Sequence, residues 1–305
     1  MKNFKISGCG TALVTPFKNG VVDYEAYKNL VIRQVEAGVD YLVPLGTTAE
    51  TPCLTLKEKV RLLTITKENA AGKKLVVGVG ANSPITTIEN MEIMGPCGAD
   101  AFLVVVPYYN KPTQDGLYSY FKAVAEATDK PIFLYNVPGR SGINLSTETT
   151  LKLAEIDNIV AVKEASSNYA QIAAILRSRP EGFMVFSGND DETLSLMATG
   201  ADGVISVASN IAPAEVTELT HCMLEGNYAR AREIYFRLLP LFKNCFVESN
   251  PIPAKAALSC MGLCENELRL PLASAQPATC ELMEKTVREL GLLKYSVKLW
   301  EIFRN

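Results

Sequence analysis

Apolar residues in this chain fall into short, unbroken runs rich in β-branched side chains, each followed by a stretch with helical periodicity. The runs are residues 11–16 (TALVTP), 41–45 (YLVPL), 75–79 (LVVGV), 101–106 (AFLVVV), 132–135 (IFLY), 159–163 (IVAVK), 183–187 (FMVFS) and 203–207 (GVISV). Lacking polar alternation, they suit strands covered on both faces. Helix boundaries are marked by their capping chemistry. Asp23 precedes and Gly38 follows a helical pattern at 24–37, Thr55 caps 56–70 with Glu58 in the capping-box position, and Ser146 opens the pattern that runs to Glu155.

Eight strand–helix units therefore occupy residues 6–225, about 27 residues each, the size of a βα unit. Eight such units close into a (β/α)8 TIM barrel, an α/β fold. A doubly wound open sheet would carry a glycine-rich phosphate loop after its first strand. Here the first strand runs into TPFKNG, and the GxG of GVGANS (78–83) follows the third. Beyond Gly226 only helical patterns remain, at 228–246 with a bend expected at Pro240, at 253–261 and at 279–290. A tail at 294–305 holds the only tryptophan, Trp300, and reads as an extra helix or a docking tail. The expected division is a barrel domain, 1–226, and a small all-helical C-terminal domain, 227–305.

Composition narrows the function. The 30 basic and 33 acidic residues leave a net charge of −3, which argues against a general nucleic-acid binder. No apolar run approaches the roughly 18–20 residues of a membrane span, and the N-terminus lacks the apolar core of a signal peptide. A cytoplasmic protein without membrane partners is expected. The eight cysteines are scattered without a CxxC, as free thiols in a cytosolic protein would be. The single histidine, His221, reads as a surface or helix-packing residue. It rules out a His-rich zinc site and leaves lysine, tyrosine, threonine, arginine and carboxylates for any chemistry.

In a (β/α)8 barrel the reactive residues lie at the C-terminal ends of the strands. Lys163 ends the apolar run IVAVK, and strict alternation would put Ile159, Ala161 and Lys163 on one face. In a dry barrel mouth burial favours the neutral amine, which can attack a carbonyl and form a Schiff base. A lysine reaching solvent from a strand end is the commoner case. Tyr135 ends the preceding strand and could shuttle protons, or be an ordinary core tyrosine. Thr47 and Thr48 follow Gly46 and offer hydroxyls and amides to a carboxylate, or cap a turn. Tyr108 and Tyr109 point opposite ways if the backbone is extended, one into a site and the other towards a partner chain. Arg140, in PGRSG, could clamp a carboxylate in bidentate fashion or form a surface ion pair. Asp190 and Asp191 read as the cap and first turn of the next helix.

GTTAE, PYYN, YNVPGRSG, VKEAS and GVISV, in this order, resemble the pyruvate-dependent class I aldolase and lyase family. The similarity runs from about Gly10 to about Leu293 and includes ESNPIPAK at 248–255. It implies condensation of pyruvate with L-aspartate 4-semialdehyde to give 4-hydroxy-tetrahydrodipicolinate, on the route to diaminopimelate and lysine. It also implies a Schiff base on Lys163 and proton transfer by Tyr135. Thr47 would join Tyr135 to Tyr109 of a neighbouring subunit, in a homotetramer built as a dimer of dimers. Thr48 would bind the pyruvate carboxylate, Ile205 would line the pyruvate site, and Arg140 would receive the carboxylate of the second substrate. The imine nitrogen is the electron sink, so no metal or organic cofactor is expected. Ala49 stands where the family commonly has glycine, and would be strained if that position needs positive φ. Thr86 and Lys59 stand where lysine-inhibited members carry a glutamate and a histidine, which implies weak feedback by lysine. The alternatives are a sugar-acid lyase such as N-acetylneuraminate lyase, set apart by Arg140, and a non-catalytic ligand-binding barrel, which would not need the lysine and tyrosine.

Overall fold

The computed structural model describes residues 4–293; the tail with Trp300 lies outside the described residues. The strands are β1 (Gly8–Ala12), β2 (Phe17–Lys18), β3 (Val21–Val22), β4 (Tyr41–Val43), β5 (Lys74–Gly78), β6 (Ala101–Val105), β7 (Ile132–Asn136), β8 (Ile159–Glu164), β9 (Met184–Ser187) and β10 (Gly203–Ser206). β2 and β3 pair as a small antiparallel hairpin. The other eight are parallel and close into a barrel, in which β1 pairs with β10 on one side and β4 on the other.

The helices are α1 (Tyr24–Glu36), α2 (Leu56–Asn69), α3 (Pro84–Met94), α4 (Gln114–Glu126), α5 (Pro138–Ser141), α6 (Thr147–Ala154), α7 (Tyr169–Ser178), α8 (Thr193–Ala198) and α9 (Pro213–Leu224). α10 (Tyr228–Asn244), α11 (Ile252–Cys260) and α12 (Pro277–Glu289) form the C-terminal helical region. We place its boundary with the barrel at Gly226, where φ is +77°. The capping signals are realised: Asp23 accepts from the Ala26 amide, and Thr55 and Glu58 form the reciprocal capping box. Pro240 lies inside α10, which runs on as one helix to Asn244.

Two apolar layers hold the barrel. Val31, Leu62, Phe121, Leu153, Ile175 and Leu219 pack helices onto the outside of the sheet. Tyr41, Phe133, Tyr135, Ala161, Phe186 and Ile205 fill the inside. Each fully buried large side chain contributes roughly 1.5–3 kcal/mol.

The first strand begins earlier than the apolar run suggested, because glycines carry it. A Cβ on Gly10 would lie 2.0 Å from the Tyr41 ring. Its absence admits that ring to the barrel interior, where the hydroxyl donates to the Val204 carbonyl. The alternation along β8 is also broken. Ile132 pairs with Ile159 but Phe133 pairs with Ala161, a register shift that absorbs one residue. Ile159 thus packs in the outer layer while Val160 and Ala161 both join the interior. Lys163 faces inward with Ala161, but Ile159 does not.

After β4 the chain turns sharply through two short 3-10 turns, Thr47–Ala49 and Thr51–Cys53, joined at Glu50 with φ +55°. Both Glu50 and Lys255 of α11 are buried, and their side chains meet at 2.8 Å. Lys255 Nζ also donates to the Thr15 carbonyl and sits 4.3 Å from the centre of the Phe17 ring. The second Glu50 oxygen accepts from the Arg269 amide. Burial pulls the Lys255 amine below the ordinary lysine range, and Glu50 opposes that pull.

Removing one member of such a pair leaves an uncompensated buried charge, at a cost of roughly 3–5 kcal/mol. We expect Lys255→Met to lower unfolding stability by about that much, and Lys255→Met with Glu50→Gln to recover most of it. Urea unfolding at fixed protein concentration measures the cycle. A single variant within about 1 kcal/mol of wild type would refute this account of the pair.

Candidate active site

Two adjoining cavities open at the C-terminal ends of the strands. The larger, about 430 Å³, and the smaller, about 50 Å³, share Gly46, Thr47, Leu103, Tyr135, Val137 and Arg140 in their walls. Lys163, Thr48 and Asn250 line the smaller, inner one.

Lys163 forms part of the wall of the inner cavity. It pairs in register with Tyr135 on one side and Phe186 on the other. Its side chain is 5% exposed, with Nζ 4.3 Å from the centre of the Tyr135 ring. Gly188 makes room for it, since a Cβ there would come within 3.1 Å of Lys163 Cε and 2.7 Å of the Ala165 Cβ. The lysine therefore does not reach out to bulk solvent as a strand-end lysine commonly does.

The turn after β4 brings two hydroxyls to the mouth. Thr48 is buried and Thr47 is exposed, both on the first 3-10 turn. Their backbone is held by Thr51 Oγ1 donating to the Gly46 carbonyl and Thr15 Oγ1 donating to the Ala49 carbonyl. Ala49 carries no strain, because the left-handed residue of this turn is Glu50, not Ala49. Asn250 Nδ2 donates to Thr48 Oγ1 at 2.9 Å, which leaves the threonine's own proton free. Arg140, at the end of α5, is exposed on the rim, and its Nη2 donates to the Asn250 carbonyl at 3.1 Å. It forms no salt bridge with a described residue.

Two residues fall elsewhere. Ile205 is fully buried in the interior cluster with Tyr135 and Phe186 and is not among the residues that line the inner cavity. Tyr109 is 87% exposed and borders neither cavity of its own chain. The expected extended backbone at Tyr108–Tyr109 is replaced by a turn, with Tyr109 at φ +75° and the Asn110 amide bonded to the Tyr108 carbonyl. Tyr108 borders the outer cavity, as do Lys59 and Thr86.

Two buried carboxylates stand behind the cavity walls. Asp190 does not cap the helix after it. It accepts from Ser206 Oγ and from the Val207 and Ala208 amides, pinning the turn that follows β10. Glu164, next to Lys163, accepts from Asn136 Nδ2, Gln171 Nε2 and the Ser166 amide. Burial raises the pKa of both, against those hydrogen bonds. The sequence signal for Glu164 was its place beside Lys163 in VKEAS; Asp190 and Asn250 have partners distant in sequence. His221 Nε2 meets Asp40 at 3.0 Å on the outside of the barrel, in a surface helix-packing role.

Comparison with known proteins shows what this sequence and this fold are similar to. The sequence pattern of the Dihydrodipicolinate synthetase family matches residues 5–290. The 4-hydroxy-tetrahydrodipicolinate synthase of Thermosipho melanesiensis is 48% identical over 288 residues, 94% of this chain and 99% of its own length. The crystal structure of dihydrodipicolinate synthase from Thermotoga maritima superposes with a TM-score of 0.92 at 47% identity, covering 94% of this chain and 99% of that one. That of the Cyanidioschyzon merolae enzyme with lysine bound superposes at 0.91 with 41% identity, covering 94% and 99%.

Proposed function

This chain belongs to the Dihydrodipicolinate synthetase family, and from that membership we propose how its own residues carry out the reaction. It is a lyase that condenses pyruvate with L-aspartate 4-semialdehyde, giving 4-hydroxy-tetrahydrodipicolinate in diaminopimelate and lysine biosynthesis. The observation that carries the residue assignment is the burial of Lys163 against the Tyr135 ring, in one cavity with Thr48 and Arg140.

Lys163 attacks the keto carbon of pyruvate as a free amine, and loss of water gives the imine. Tyr135 gives and takes the protons of these steps from beside the lysine. Thr48 donates its hydroxyl proton to the pyruvate carboxylate, since its oxygen already accepts from Asn250. The imine nitrogen takes up the electron pair when a methyl proton leaves, and the resulting enamine carbon attacks the aldehyde. Arg140 holds the second carboxylate on the rim. The substrate amine then displaces Lys163 by transimination, which closes the ring and frees the enzyme.

We assign the exposed Tyr109 to the cavity of a neighbouring subunit, where Thr47 links it to Tyr135, and the assembly to a homotetramer of two dimers. Ile205 supports the pyruvate pocket from within the interior cluster. A cytoplasmic setting suits the eight cysteines, all of them free thiols. Among the described residues no helix is long and apolar enough to cross a membrane.

The first test is trapping with pyruvate and borohydride, followed by peptide mapping. One pyruvate-derived mass should sit on the Lys163 peptide and vanish in Lys163→Ala. Arg140→Ala should still be trapped, yet lose use of L-aspartate 4-semialdehyde by roughly tenfold or more, as when one charged hydrogen-bond pair is removed. A label on another lysine, or equal loss in trapping and acceptor use for Arg140→Ala, would sink these assignments.

Sedimentation with parallel assays tests the assembly. Activity should follow the oligomer, and Tyr109→Phe should slow turnover without dissociating it. A fully active monomer would contradict the role of Tyr109.

Weak or absent inhibition by free lysine is also expected. The outer cavity holds Lys59 and Arg140 but no carboxylate in its wall, so an ammonium ligand meets cations and no counter-charge. Titrating lysine at saturating pyruvate measures this; half-inhibition below millimolar lysine would overturn it.

A further inference from the structure

The second substrate is an amino acid, and its head group has two charges. Arg140 accounts for the carboxylate and nothing so far accounts for the ammonium. No aspartate or glutamate lines the inner cavity, so the ammonium must find a neutral acceptor. Asn250 is 5% exposed and borders that cavity, and its Oδ1 has no hydrogen-bond partner although it is buried. An orphaned buried amide oxygen is costly, and natural structures seldom keep one without use. Two other groups of the residue are engaged. Nδ2 donates to Thr48 Oγ1, and the main-chain carbonyl accepts from Arg140 Nη2 at 3.1 Å. Asn250 thus sits between the hydroxyl assigned to pyruvate and the guanidinium assigned to the acceptor carboxylate.

We propose that Asn250 is a specificity-determining residue whose Oδ1 receives the α-ammonium of the acceptor aldehyde, next to the carboxylate held by Arg140. This deepens the functional reading above and rests on it. The paired recognition places the nitrogen that later displaces Lys163 in the same cavity as Lys163. It also gives a reason for the amide to come from the helical region. The segment that ends in the buried Lys255 delivers Asn250 from a part of the chain far from every barrel strand. A site that hydrogen-bonds a polar group selects against an analogue lacking it, because its own partner is then left unpaired.

The test compares L-aspartate 4-semialdehyde with 4-oxobutanoate, the same aldehyde acid without the amino group. The readout is the ratio of the second-order rate constants with which the two aldehydes consume the preformed Lys163 enamine in a single turnover, a step that precedes transimination and in which any effect on pyruvate cancels. Wild type should favour the amino aldehyde by roughly ten- to hundredfold, the range for one hydrogen bond to a charged group. Asn250→Ala should lose most of that ratio. Asn250→Asp keeps an acceptor but no donor for Thr48, so it should raise the KM for pyruvate and retain the ratio. A wild-type enzyme that uses both aldehydes equally, an unchanged ratio in Asn250→Ala, or a lost ratio in Asn250→Asp would each overturn the proposal. Borohydride trapping on wild type separates the two levels. No adduct at Lys163 removes the functional reading and this proposal with it, whereas an adduct with an unchanged ratio in Asn250→Ala removes this proposal alone.

Discussion

The active-site wall depends on one buried ion pair, Glu50 with Lys255. Two charges without water are stable only if each finds its full set of partners. Glu50 has Lys255 and the Arg269 amide; Lys255 has Glu50, the Thr15 carbonyl and the face of Phe17. To present its carboxylate there, Glu50 adopts the left-handed conformation. That bend separates the two 3-10 turns and sets the turn bearing Thr47 and Thr48 at the barrel mouth. The pair also fixes α11, and Asn250 just before it, against Thr48. The site is thereby a product of both the barrel and the helical region.

The distribution of charge around the cavities follows the same logic. Both substrates carry carboxylates, and the walls present Lys163, Arg140 and Lys59 without an acidic residue. The carboxylates that do lie near, Asp190 and Glu164, are withdrawn behind the wall and occupied by amide and hydroxyl donors. Both are committed to loop geometry by those donors, although Asp190 still feels the charge of Lys163. Burial raises the pKa of both carboxyls, and the donors around them oppose that shift.

Much of this was legible in the residues themselves. The eight βα units, the caps at Asp23 and Thr55, and Lys163 and Tyr135 at neighbouring strand ends all follow from local rules. Burial on both faces leaves unbroken apolar runs, and capping is settled within four residues. The sequence by itself thus determined the barrel and pointed to Lys163, Tyr135, Thr47, Thr48 and Arg140 at its mouth, while Ile205 and Tyr109 lie outside both cavities of this chain. It could not show where β1 begins, since Gly10 is there to admit the Tyr41 ring from the next strand. The register shift in β8 escaped for the same reason: alternation is a local rule, and the bulge is set by pairing with β7. Whether Ala49 needed positive φ was settled by the backbone, which puts that conformation one residue later, at Glu50. Asp190 resembled a helix cap, and Asn250 stood in the ESNPIPAK match with no role attached to it. Their roles lie in bonds to Ser206, Val207 and Thr48, up to 202 residues away in the chain. Periodicity records which face of an element is buried. Which buried polar group meets which partner, and which one is left open for a ligand, is decided only when distant segments pack.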